Sequence, residues 1–123
     1  ELTGASRAGV LLNLVDGPVV GANAQHSERR RRFTIAHELG HLVLGHHADY
    51  HVDLMSSVSS GEPPGYDWRH ERAANNFAAN LLMPAGLVRR DVVEGGLRSE
   101  ELAERYAVST EAMGIRLSVL GLT

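Results

Sequence analysis

The sequence predicts a small α+β domain, and three observations carry that prediction. Two short apolar runs rich in branched side chains flank turn residues near the start, the pattern of a β-hairpin. A capped helical segment follows, and the second half is a series of helical stretches separated by Pro and Gly. A chain of 123 residues suffices for one core that buries about two thirds of the unfolded surface. Position 1 is Glu rather than Met, and nothing near it has the charged, apolar and small-residue layout of a signal peptide. Residues 1–123 therefore read as a single domain that is a piece of a longer protein.

The elements follow in order. Residues 8–15 (AGVLLNLV) and 19–23 (VVGAN) form the two runs, with Asp16-Gly17-Pro18 as the turn. Ser27 is placed to cap a helix from about Glu28 through Leu44, and Gly45 suits the left-handed position after its end. Residues 49–55 (DYHVDLM) alternate enough for one further short strand. Residues 56–66 (SSVSSGEPPGY) are rich in Ser, Gly and Pro and read as a mobile loop. A second helix runs from about Asp67 or Trp68 to Met83. Pro84 ends it and starts a third, through about Val93. Glu94-Gly95-Gly96 breaks the pattern, and Ser99 opens a last helical stretch ending near Leu120.

Composition narrows the possible chemistry. The chain has no Cys, which removes disulfides, thiolate metal sites, iron–sulfur clusters and a cysteine nucleophile together. No apolar run approaches the ~18 residues of a membrane-spanning helix. The net charge is -3, whereas a domain built to hold a phosphate backbone carries a basic footprint, so direct nucleic-acid binding is not expected. All twelve basic residues are Arg, and seven residues are His. The His content is several times the usual share, and neutral imidazole is the commonest protein metal ligand.

Two of these His are arranged. His37-Glu38-Leu39-Gly40-His41 is an H-E-x-x-H motif on the central helix. At about 100° per residue His41 falls about 40° from His37, so the imidazoles share a face and can reach one ion. Glu38, at about 100°, stands beside that face, where a carboxylate can bond a metal-bound water. On the same wheel Ile35, Leu39, Leu42 and Val43 form the apolar stripe, nearly opposite the two His. The core is accordingly expected on that side.

A third ligand is needed. His47 lies ten residues after His37, as in the pattern H-E-x-x-H-x-x-G-x-x-H, but the Gly that lets the chain turn back there is Leu44 in this sequence. His46 reads as a packed or capping residue. Glu71, on the second helix, is the better candidate. It shares a face with Asn75 that Ala74 and Ala78 otherwise line with methyl groups, small enough to let helices approach. A buried carboxylate there is costly unless paired or bound to metal.

The stretch from Phe33 through His46 (FTIAHELGHLVLGH), followed by Glu71 and by residues 75–84 (NNFAANLLMP), resembles the ImmA/IrrE family of zinc metallopeptidases. Both motifs are long and agree in order and spacing. The likeness extends along the chain to Val108-Ser109 and Arg116-Leu117. It implies a zincin-like fold and one zinc ion per chain on His37, His41 and Glu71, with Glu38 as catalytic base. It further implies a cytoplasmic bacterial endopeptidase whose substrate is a helix-turn-helix transcriptional repressor, acting in stress response or mobile-element regulation. Many members carry a second acid where this chain has Ala73, which leaves Glu71 as the acid of the motif. A helix that usually precedes this region in the family is not visible in residues 1–123. Tyr50, His51, Tyr66 and His70 are the candidates for stabilising an oxyanion, and the sequence does not choose among them.

Two other readings belong to different classes. One keeps the fold without the activity, as a zinc-stabilised sensing or interaction module. Loss of a ligand position would favour it, and all four chemical positions are intact. The other takes residues 102–113 as a helix-turn-helix that binds DNA. From Leu97 to Ser118 that segment has three Arg against four Glu, and Ala107 stands where the turn favours Gly. The oligomeric state is left open.

Overall fold

The computed structural model describes residues 7–46, 50–54 and 67–123. Its elements are β1 (Arg7–Leu14), β2 (Gly17–Ala22), α1 (Glu28–Val43), β3 (Tyr50–Leu54), α2 (Trp68–Leu82), α3 (Ala85–Val93), α4 (Ser99–Tyr106) and α5 (Thr110–Val119). The chain divides into two compact units, Glu1–Ala78 and Ala79–Thr123. No helix among the described residues is long and apolar enough to cross a membrane. The predicted loop at 56–66 lies outside the described residues.

The first unit is built on a three-stranded antiparallel sheet in the order β2-β1-β3. The hairpin is tighter than the sequence reading: Leu14 pairs with Gly17, so Val15-Asp16 is the whole connection. Gly17 opens β2 at φ +128, a conformation L side chains avoid. Pro18 is tolerated because, among the described residues, β2 is an edge strand with no neighbour to hydrogen-bond on its outer side. β1 is central, and Ala8, Gly9, Val10 and Leu11 are buried in succession, as expected of a strand covered on both faces. Its pairing with β3 shifts between Arg7 and Gly9, a bulge that re-aims the strand beside α1.

Ser27 caps α1 as predicted, its Oγ accepting from the Arg30 N–H at 3.3 Å. The buried face of this helix differs from the predicted one. Ile35, Leu42 and Val43 are exposed, and the buried residues are Thr34, Ala36, His37, Glu38, Gly40 and His41. Close approach explains the inversion. A Cβ on Gly40 would lie 3.1 Å from the Ala74 Cα and 3.1 Å from the Phe77 Cβ. Only a face of small residues lets α2 come that near, and the His pair is carried inward with it. On α2, Asp67 Oδ1 accepts from the Arg69 N–H at 2.9 Å and closes the first turn.

In the second unit Pro84 precedes α3, as the sequence requires. The helical stretch read from Ser99 to Leu120 is two helices, because Ala107 adopts φ 53 and ends α4. Ser109 then caps α5 through the Ala112 N–H at 3.0 Å. Val88, Leu102, Ala103, Val108 and Met113 are fully buried. Arg116 is buried too: its Nε–H donates to the Met83 carbonyl at 3.0 Å and its Nη2–H to Asn80 Oδ1 at 2.9 Å. Asp91 accepts from the Tyr106 hydroxyl and, at 3.0 Å, from Arg105 Nη1. The Tyr106 hydrogen bond, with the Arg105 charge, holds the Asp91 carboxyl below its ordinary 3.8. Burial, with Asp91 as acceptor, pushes the Tyr106 hydroxyl up to about 12.

Candidate metal centre

α1 and α2 bring together the residues that the sequence singled out. His37 Nε2 lies 3.1 Å from Glu71 Oε1, and His41 Nε2 lies 3.1 Å from Glu71 Oε2. The two Nε2 atoms are themselves 3.1 Å apart. One ligand atom from each of His37, His41 and Glu71 falls within 4.8 Å of the others, and together they could hold a metal ion. A four-coordinate tetrahedral ion with ligands at ~2.0–2.1 Å needs neighbouring donors about 3.3 Å apart. Each His Nε2 is near that spacing from its own Glu71 oxygen, and the two Nε2 atoms are near it from each other.

The donor chemistry fits as well. Asn75 Oδ1 lies 2.7 Å from His37 Nδ1. A carbonyl oxygen only accepts, so Nδ1 is the donor, and in the neutral ring Nε2 then has a lone pair for a cation. A hydrogen-bonded outer nitrogen of this kind sets ligand tautomer and ring orientation. His41 is fully buried, and its Nδ1 lies 2.8 Å from His46 Nδ1. Lone pairs of two imidazole nitrogens and a carboxylate that meet inside the protein are reconciled by a proton shared between them or by a cation among them.

Glu38 is completely buried. Its carboxylate lies against β1 at Gly9, where a Cβ would come within 3.0 Å of Oε2. This neighbour was not recognised in the sequence. A lone Gly inside a strand pattern is the available signal, since it marks close approach by another group. His46 was read as packed or capping, and its contact with His41 depends on how the chain turns after α1. Asn75 was placed on the Glu71 face and does meet His37.

Of the four oxyanion candidates, Tyr66 and the side chains of Tyr50 and His51 lie outside the described residues, as does the rival ligand His47. His70 is half-exposed and stacks on His46, with ring centroids 3.8 Å apart and planes 10° from parallel.

A helix-borne His pair facing a Glu from a second helix, on a small α+β scaffold, is the arrangement of a zincin-like metallopeptidase. The sequence model of the peptidase family M78, the IrrE N-terminal-like domain, matches residues 4–118, and the chain belongs to that family. No curated protein gives a significant match.

Proposed function

We propose that this protein is a zinc-dependent endopeptidase in which His37, His41 and Glu71 hold one zinc ion and Glu38 is the catalytic base. The observation that carries the reading is the convergence of His37, His41 and Glu71, with one ligand atom from each within 4.8 Å of the others, beside a buried Glu38. Zinc at this position supplies Lewis acidity, polarising a peptide carbonyl and lowering the pKa of a water to about 7. Glu38 accepts the proton of the attacking water as its oxygen bonds the carbonyl carbon. It then delivers that proton to the amide nitrogen as the C–N bond breaks. Burial of Glu38 against Thr34 and Gly9 holds its carboxylate in place and keeps bulk water from its inner side. Among the described residues β2 is an edge strand, and such an edge supports an extended substrate adding as a further strand.

Membership of the family supports a helix-turn-helix transcriptional repressor as the protein substrate, in the bacterial cytoplasm, in stress response or mobile-element regulation. The test compares zinc content and cleavage of a co-encoded repressor in wild type, Glu38→Gln and Glu71→Ala. Glu38→Gln is expected to keep one zinc per chain and lose cleavage, whereas Glu71→Ala loses the zinc. Wild-type cutting by Glu38→Gln overturns the mechanism, and full zinc occupancy in Glu71→Ala overturns the ligand assignment.

A further inference from the structure

The end of α1 is built around its second His. Leu44 is the last residue near helical conformation, and Gly45 follows in the left-handed region at φ 74. The Gly45 N–H donates to the Leu42 carbonyl at 3.3 Å and the His46 N–H to the His41 carbonyl at 2.9 Å. This pair of bonds is the Schellman helix stop, in which the residue after the left-handed glycine folds back over the residue five positions earlier. That contact is commonly apolar. Here it joins two imidazoles, His46 Nδ1 to His41 Nδ1 at 2.8 Å, with ring centroids 5.1 Å apart and planes inclined by 61°.

A hydrogen bond between two Nδ1 atoms has two possible senses. If His46 donates, the neutral His41 ring carries its proton on Nε2, the atom that faces Glu71 and His37. If His41 donates, its Nε2 keeps a lone pair for a cation, and His46 is the acceptor with its own proton on Nε2. The His46 ring is braced for that role from its other side, lying flat against His70. Neither a packed apolar residue nor a simple helix cap accounts for a ring nitrogen aimed at the outer nitrogen of a fully buried His.

We infer that His46 is a positioning residue for the metal site: it accepts the His41 Nδ1–H, fixes the tautomer that presents Nε2 to the ion, and is itself placed by the Gly45 turn. The inference rests on His41 being a ligand, and its test separates the two ideas. Zinc affinity is measured by competition with a chromophoric chelator for wild type, His46→Phe and His46→Asn, with metal-free thermal melts confirming that each is folded. Phe keeps a ring to stack on His70 and removes the acceptor, while Asn places an oxygen near the position of Nδ1. His46→Phe is expected to bind zinc about 10- to 100-fold more weakly, and His46→Asn to recover most of the loss. In the cobalt-substituted proteins, the exchangeable, paramagnetically shifted N–H proton of His41 should appear in proton NMR spectra of wild type and His46→Asn. It should be lost to solvent exchange in His46→Phe, while the His37 N–H held by Asn75 persists. Wild-type zinc affinity in His46→Phe overturns the inference, and so does an equal loss in His46→Asn. Wild type that takes up no zinc overturns the metal reading itself, and this one with it.

Discussion

Gly9 of β1 lies directly against Glu38 of α1: a Cβ on the glycine would fall 3.0 Å from Glu38 Oε2, 3.2 Å from its Cγ and 2.5 Å from Thr34 Cγ2. The central strand thus forms one wall of the slot that holds the proposed base. Gly9→Ala would push Glu38 or Thr34 aside by several tenths of an ångström, because the contact is with buried groups. Displacements approaching 1 Å cost on the order of 100-fold in rate when a catalytic group is misplaced. The expected outcome is a 10- to 100-fold lower kcat for peptide hydrolysis with zinc content unchanged, since the atoms nearest a Cβ at Gly9 belong to Thr34 and Glu38 and not to a proposed ligand. Steady-state kinetics beside metal analysis checks it; equal loss of zinc and rate would place the damage elsewhere.

Asn75 acts on His37, another of the proposed ligands. Its Oδ1 accepts from His37 Nδ1 at 2.7 Å, and removal of such a partner typically weakens metal binding 10- to 100-fold. Asn75→Ala should show that loss in a chelator competition, and Asn75→Asp, which keeps an acceptor oxygen, should retain affinity close to that of wild type. Matching losses in the two variants would mean that Asn75 serves helix packing instead.

These contacts show what could be read from residues alone. The i, i+4 spacing of His37 and His41 and the turn of helix between Glu71 and Asn75 are local geometry, so the sequence carried them. Ser27 and Pro84 likewise announce helix starts through chemistry confined to one turn. The buried face of α1 was misjudged because hydropathy ranks Ile35, Leu42 and Val43 as core, while the approach of Gly40 to Ala74 is a tertiary effect no single-helix wheel contains. Gly9 was missed, and the partner of His46 was not named, for a related reason. Each acts through a neighbour that only strand placement or the Gly45 turn brings near. Ala107 at φ 53 divides the last helical stretch although alanine is a strong helix former, so tertiary packing of Val108 and Leu102 outweighs propensity there.

The Asp91–Tyr106 pair predicts how the second unit responds to pH. Asp91 is held below 3.8 by the Tyr106 hydroxyl and then Arg105, so its contribution to stability is fully present above about 3.8 and is lost as pH falls through the lower folded value. Tyr106 is raised from 10.0 to about 12, so its contribution is complete below pH 10 and disappears as pH rises from 10 toward 12. Urea unfolding followed across both ranges should show stability falling at each end. Tyr106→Phe should flatten the alkaline limb and weaken the acid one; an unchanged alkaline limb would assign that loss to other groups.

Arg116 holds the end of α2 to α5 through two bonds from one guanidinium, Nε–H to the Met83 carbonyl and Nη2–H to Asn80 Oδ1. Met83 is followed by Pro84, which has no N–H, so the helix cannot continue to satisfy its last carbonyls in the usual way. The buried guanidinium supplies the donor for the Met83 carbonyl at this helix end, and burial lowers its pKa without threatening its charge. Arg116→Met keeps most of the volume but removes both donors and leaves a buried carbonyl unsatisfied. A cost of about 2–3 kcal/mol is expected. Arg116→Lys should recover only part of it, because a single ammonium on a flexible stem does not reproduce the planar fork that reaches both oxygens. Urea melts of the three proteins order them wild type, Lys, Met if the fork is the stabilising element. Equal stability of the Lys variant and wild type would reduce the role of Arg116 to that of a charge.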